Sequence, residues 1–133
     1  RMVPRIVSGL VGLLIALTAI NWITNPSEAA AGLGMPLLEG MGRSTQIGDF
    51  TSFFVSVAVF CFLGAYHQRA HWLVAAATIL GGAAVFRGLS WLVHGAELAT
   101  TFISLELVMT VLLLGCAYLF SRARPVEDNL DQQ

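Results

Sequence analysis

The sequence contains no lysine. Its 7 basic residues are all arginine, and with 8 acidic residues the net charge is −1. Charged residues make up only 11% of the chain, against roughly 25% in a soluble domain. At 133 residues the length is that of one domain. A soluble domain of that size cannot cover its surface with so few charges. The charge balance also removes the basic face that nucleic-acid binding requires, so no nucleic-acid partner is expected. Cysteine is scarce. Cys61 and Cys116 stand inside apolar runs, in neither a CxxC nor a metal-ligand spacing, and give no sign of an oxidising compartment. They read as packing thiols. The sequence has no phosphate-binding glycine loop, haem motif or Ser-His-Asp pattern, and no cofactor is expected. One HxxxH occurs, His67 to His71. It has metal-ligand spacing only on a helix, and here it falls in a short connection, so no metal is expected.

What the sequence has instead is apolar length: 56% of its residues are hydrophobic. About 20 such residues cross a bilayer core as a helix. Four runs qualify: Ile6–Thr24, Ile47–Tyr66, Trp72–Gly95 and Thr100–Phe120. Backbone exposed to lipid must satisfy its own hydrogen bonds, and no polar–apolar alternation suggests a barrel. The fold class is therefore all-α, an antiparallel bundle of four transmembrane helices, with one membrane domain over residues 1–124. The polar, acidic stretch Pro125–Gln133 reads as a disordered tail. Arg1 and Arg5 before the first run resemble a signal peptide, but that run is longer than a signal core and three more spans follow, so it is expected to remain. Arg1, Arg5, Arg69, Arg122 and Arg124 fall on one side of a four-span chain, and Arg43 alone on the other. By the positive-inside rule both termini are cytoplasmic.

The long connection from Asn25 to Gln46 lies outside in that topology. Asn25-Pro26-Ser27-Glu28 has the form of a helix start, with Asn at the N-cap, Pro first and Glu third. Gly34 can end the helix in a left-handed conformation. A short interfacial helix is expected, anchored by Leu33, Met35, Leu37 and Leu38. Ser8, Gly12 and Ala16 on the first span, and Gly81, Gly82, Ala84 and Gly88 on the third, should permit close helix approach. Trp22, Tyr66, Trp72, Trp91 and Tyr118 stand near span ends, as interfacial aromatics do.

Four ionisable residues interrupt the spans: Asp49, Arg87, His94 and Glu106. Such residues are costly in a membrane and mark functional sites by default. At about 1.5 Å rise per residue, Arg87 and Glu106 lie at similar depth below the outer ends of their helices, with Asp49 nearer its end. Arg87, Trp91 and His94 share one helical face. Asn21 closes the first span, and Trp22 and Phe53 stand among the surrounding aromatics. A structural reading has Arg87 bridging Asp49 and Glu106 to pin three helices, or Asp49 resting near the positive end of its helix. A functional reading starts from the surplus charge. Two acids and one Arg leave a negative excess that is costly in a low dielectric. A retained proton, a protonated His94, or a bound cation or ligand relieves it. A protonated acid beside an ionised one is also what acid/base catalysis uses. In residue type the set resembles the active site of limonene-epoxide-hydrolase-type enzymes, which pair two acids with Arg and Asn on an unrelated soluble fold.

Asn25-Pro26, Gly34-Met35-Pro36, Asp49, Arg87 with Ser90, His94-Gly95 and Glu106 together make the chain resemble small four-helix bacterial membrane proteins of the DoxX-like neighbourhood. That resemblance spans roughly residues 6–120. It implies a four-helix bundle in a bacterial inner membrane and no established activity. Ile47-Gly48-Asp49-Phe50 departs from the Arg or Glu before a glycine pair that such proteins often carry in the second span.

The expected function is binding of a lipid-soluble, isoprenoid- or sterol-like ligand, with acid/base chemistry such as isomerisation or epoxide opening. Asp49, Arg87 and Glu106 are its catalytic candidates. Asn21, Trp22, Phe53, Trp91 and His94 are its ligand-binding candidates. The alternative is an accessory subunit of a larger membrane complex, or a homo-oligomer, in which the charges staple the bundle. A transporter would need an inverted repeat or broken helices, and neither is evident.

Overall fold

The computed structural model describes the backbone of residues 2–131 and side chains as far as residue 123. Arg1, the Arg124 side chain, Gln132 and Gln133, which entered the charge-bias and tail arguments, lie outside the described residues. The fold is all-helical: α1 (Met2–Thr24), α2 (Pro26–Gly32), α3 (Gly40–His67), α4 (Ala70–His94) and α5 (Thr100–Asp131). Four helices are long and apolar enough to cross a membrane: α1, α3, α4 and the Thr100–Ala123 part of α5. The predicted spans lie on these helices, except that the third runs one residue past α4, to Gly95. Two ends differ by more. Helix α3 starts at Gly40 rather than Ile47; no proline stands between those positions, and Gly42 is tolerated within the first turn. Helix α5 runs to Asp131, so the backbone predicted to be a disordered tail from Pro125 continues the helix.

The long helices form a ring in which α1 packs on α3, α3 on α4, α4 on α5, and α5 back on α1. The short α3–α4 and α4–α5 connections force these neighbours antiparallel. Gln68 ends α3 with φ 52° and Gly95 ends α4 with φ 68°. These left-handed residues stop each helix and free the chain to reverse. The turn at Gln68 also puts His67 and His71 on different helices, so the helical spacing that a metal pair would need is lost.

The half of the bundle remote from α2 is solid. Val11, Ile15, Val57, Cys61, Leu73, Leu80, Leu113, Cys116 and Phe120 form one buried cluster, and both cysteines are free thiols within it. Small residues set the helix spacing there, since lipid gives little hydrophobic drive between helices and contact must come from close approach. A Cβ on Gly12 would lie 3.0 Å from the Cys61 Cβ, and one on Gly64 would lie 2.7 Å from the Leu73 Cγ. Ala76, Ala77 and Ala84 are buried on α4, and Gly81 meets Thr110 of α5. Gly82 and Gly88 differ from the expectation: among the described residues, no other element comes within 4 Å of where a Cβ would stand on either. Near the same end, Arg5 Nε donates to the Ala65 carbonyl at 3.1 Å and ties α1 to α3.

The other end is closed by α2 and the loop after it. Helix α2 starts where predicted, but the Asn25 side chain does not cap the backbone. Its Nδ2 donates to Glu28 Oε2 at 2.8 Å instead. At the far end Gly34 takes φ 78°. Its N–H bonds Ala31 O at 3.0 Å while Met35 N–H bonds Ala30 O at 2.9 Å, the paired pattern of a Schellman stop.

Ala29 and Ala30 of α2 pack on Trp22 of α1, and the cluster extends to Leu33, Met35 and Phe50. Trp22 is 0% exposed and stacks on Phe50, with ring centroids 5.1 Å apart and planes 7° from parallel. It is thus the hub that seats α2, not an interfacial anchor as its place near the span end suggested. Trp91, Tyr66 and Tyr118 are exposed.

Candidate functional site

Above the solid half, the helices enclose a cavity of about 450 Å³. All four long helices wall it: Leu14, Ile15 and Thr18 from α1, Asp49, Phe50, Phe53 and Phe54 from α3, Leu80, Ala83 and Arg87 from α4, and Phe102, Leu105, Glu106 and Met109 from α5. Leu33, from the loop after α2, covers it. The walls are mostly apolar, aliphatic side chains with four phenylalanines among them, Phe53 and Phe54 meeting edge to face at 5.0 Å. The volume lies in the range of small-molecule sites, which are mostly apolar with a few placed polar groups.

Those polar groups are Arg87, Glu106 and Asp49. Arg87 Nε donates to Glu106 Oε1 at 3.0 Å, joining α4 to α5 at the matched depth that helical rise predicts. The guanidinium carbon lies 4.8 Å from the Phe102 ring centroid, within reach of a cation–π attraction. One guanidinium edge is thus committed to Glu106, and its face to Phe102. The second carboxylate oxygen, Glu106 Oε2, is buried and has no hydrogen-bond partner among the described residues. An unpaired buried acceptor is costly.

Asp49 lines the same cavity but forms no ion pair with Arg87 among the described residues. It is exposed, whereas the Arg87 and Glu106 side chains are 30% and 12% exposed. The geometry therefore gives an Arg87–Glu106 pair with Asp49 apart, in place of a buried triad bridged by Arg87. Asp49 is also far from the start of its helix. With α3 beginning at Gly40, it stands about 13 Å along the axis, beyond the first turn where the helix dipole acts.

Of the five residues expected to touch a ligand, Phe53 lines the cavity. Asn21 and Trp22 instead border a shallow groove under α2, with Thr18, Glu28 and Ala29. Trp91 and His94 are exposed on the last turns of α4 and lie outside the cavity lining. Both stand one to two helical turns beyond Arg87 on α4, past the residues that line the cavity. Among the described residues, no group of three or more His, Cys, Asp or Glu is placed to hold a metal ion.

Sequence reasoning missed Gln46. It is 5% exposed and clamps the covering loop onto α3. Its Oε1 accepts from Leu38 N–H at 2.9 Å, and its Nε2 donates to the Pro36 carbonyl at 3.1 Å. The loop that carries Leu33 is thereby tied at its far side. The sign available in the sequence was a lone uncharged amide next to an apolar, proline-containing loop whose backbone groups needed partners.

Comparison with protein-family models, with curated proteins and with solved structures finds no match for this chain. The likeness to DoxX-like proteins therefore stands on the residues quoted for it above.

Proposed function

We propose that this is an integral membrane protein of the DoxX-like kind that holds a lipid-soluble ligand between its four spans. The observation that carries this reading is the cavity of about 450 Å³ with one charged pair in an apolar, partly aromatic wall. A bundle that needed only stability would fill that space, since packing is what holds transmembrane helices together. An isoprenoid- or sterol-like body suits the phenylalanine walls, and the Arg87–Glu106 pair offers its polar end donors and an acceptor. Acid/base chemistry on that ligand, by isomerisation or epoxide opening, is the extension of the proposal. Glu106 and Asp49 supply the two carboxyl groups on opposite walls, and Arg87 orients Glu106.

The arginine bias supports an orientation with both termini cytoplasmic, in the bacterial inner membrane that the resemblance implies. Arg5, Arg69 and Arg122 lie at the end remote from α2, and Arg43 at the α2 end. The cavity would then open in the outer half of the bilayer. Native mass spectrometry of the purified protein, released from detergent, tests the ligand reading. An apolar small molecule retained by the wild type, and lost when Phe53→Trp fills the cavity, is the expected result. A bare wild-type mass after extraction from native membranes would sink it.

A second reading, an accessory subunit or homo-oligomer, draws on Gly82 and Gly88. Among the described residues, no other element comes within 4 Å of a Cβ built on either glycine, which leaves small-residue positions on α4 for a partner helix.

A further inference from the structure

We propose that the cavity takes a lipophilic cation, an apolar body carrying an ammonium-type charge, with Asp49 as its counter-ion. The inference rests on the cavity being a ligand site, and adds the charge that its ligand carries. Three observations support it.

First, the lining holds a surplus negative charge within a ligand's reach. Its ionisable residues are Asp49, Arg87 and Glu106. Arg87 and Glu106 pair at 3.0 Å, so their charges cancel. Asp49 forms no ion pair among the described residues, and it is exposed. It stands one helical turn from Phe53 on the same face of α3, and both line the cavity. An ionisable residue in a membrane-spanning segment is costly unless something pairs with it. A neutral ligand leaves that charge as it is, and an anionic one adds to it. A cation compensates it.

Second, that carboxylate stands among rings. Phe50, Phe53 and Phe54 line the cavity beside it on α3, and Phe102 lines it from α5. The face of an aromatic ring attracts a cation within about 6 Å of its centroid. The cavity already contains one such contact, with the Arg87 guanidinium carbon 4.8 Å from the Phe102 centroid. A carboxylate with phenylalanines next to it offers a quaternary ammonium both a counter-charge and ring faces. Leucines would serve a plain hydrocarbon as well.

Third, the same residue marks a way in. Asp49 and Phe50 also line a groove beneath the loop, with Met35, Leu38, Met41 and Gln46. The groove and the cavity therefore meet at Asp49, and a ligand moving from one to the other passes its carboxylate. The groove lies at the α2 end of the bundle. The connections there carry Glu28, Glu39 and Glu97 against Arg43, all of them exposed. That excess of acid draws cations toward the mouth and turns anions away. The 450 Å³ of space holds about 15 non-hydrogen atoms at water's share of ~30 Å³ each, which sets the size of a probe.

The test uses the full chain in nanodiscs of phosphatidylcholine, a lipid without net charge. The three probes are matched in size: decyltrimethylammonium, the hydrocarbon in which carbon replaces its nitrogen, and dodecanoate. Binding is read from protection against thermal unfolding at graded probe concentrations, in the wild type, Asp49→Asn and Asp49→Glu. Each probe partitions into the bilayer equally for every variant, so comparison between variants removes that contribution. The ammonium should bind the wild type at least about tenfold more tightly than the hydrocarbon, a preference that a carboxylate and a desolvated ring contact together supply. Dodecanoate should bind more weakly than either. Asp49→Asn should remove most of the ammonium preference and leave hydrocarbon binding unchanged, whereas Asp49→Glu should keep the preference. Asp49→Ser takes the place of Asp49→Asn if that variant does not fold. An ammonium preference that survives loss of the carboxylate would overturn the proposal, as would dodecanoate binding as tightly as the ammonium. Equal binding of ammonium and hydrocarbon to the wild type would overturn it too, while leaving the cavity a ligand site. Binding of none of the three would overturn the ligand site itself.

Discussion

Whether the Arg87–Glu106 pair holds the bundle together can be measured by a double-mutant cycle of Glu106→Gln and Arg87→Met. An exposed ion pair contributes about 0–1 kcal/mol, whereas removing one partner of a buried pair costs about 3–5 kcal/mol. This pair lies between those limits. The acid is 12% exposed and the guanidinium 30%, and they share a single contact at 3.0 Å, not a bidentate one. Glu106→Gln keeps an oxygen to accept from Arg87 Nε but leaves the cation uncompensated, at an expected cost of about 2 kcal/mol. Arg87→Met abandons the carboxylate and forfeits the Phe102 contact, at about 3 kcal/mol. The double variant leaves neither charge exposed to an apolar wall. It should cost less than the two singles added together, by about 2 kcal/mol, within the range for contacting residues. Equilibrium unfolding in mixed micelles, followed by tryptophan fluorescence, reports the loss directly, because Trp22 is fully buried and stacked on Phe50. If the two costs add within about 0.5 kcal/mol, the range for independent sites, the pair is not coupled and the inference that α4 and α5 are joined through it fails.

Four further outcomes are expected. Gln46→Leu removes the partners of Leu38 N–H and Pro36 O. At about 1–3 kcal/mol per abandoned buried group, the Leu38 amide should exchange with deuterium about tenfold faster or more, and an unchanged rate would show that the loop is held otherwise. Gly64→Ala sets a Cβ against Leu73 at the α3–α4 contact and should lower stability by about 1–3 kcal/mol as an overpacked site; in the same unfolding assay Gly82→Ala, with open space around it, should be nearly neutral. Trp22→Ala should cost about 3–5 kcal/mol, while Trp91→Ala, at 45% exposure, should stay within about 0.5 kcal/mol of wild type; equal losses would contradict the seating of α2 on Trp22. A reporter fused after Gln133 should be active only if it works in the cytoplasm, and periplasmic activity would reverse the orientation and move the cavity to the inner half of the bilayer.

The sequence alone determined the architecture, because its controlling quantity is one-dimensional. Run length against bilayer thickness and the cost of unpaired backbone in lipid give four helices without any contact being known. The Asn25-Pro26 start and the Gly34 stop of α2 are likewise local backbone chemistry, legible from neighbouring residues. Helical rise also placed Arg87 and Glu106 at matching depth. What rise and periodicity do not contain is which neighbour each helix faces. Helix α4 borders both α3 and α5, so Asp49 and Glu106 were equal candidates for Arg87 until the packing turned Arg87 toward α5. The same ambiguity misassigned Trp22, whose place near a span end looks interfacial until α2 folds down over it. It also hid Gln46, since its two hydrogen bonds reach loop residues Pro36 and Leu38 that only the folded chain brings back to it. Sequence fixes a residue's depth and face along its own helix; which partner meets that face is a property of the azimuths of all four helices at once, and only the tertiary structure decides it.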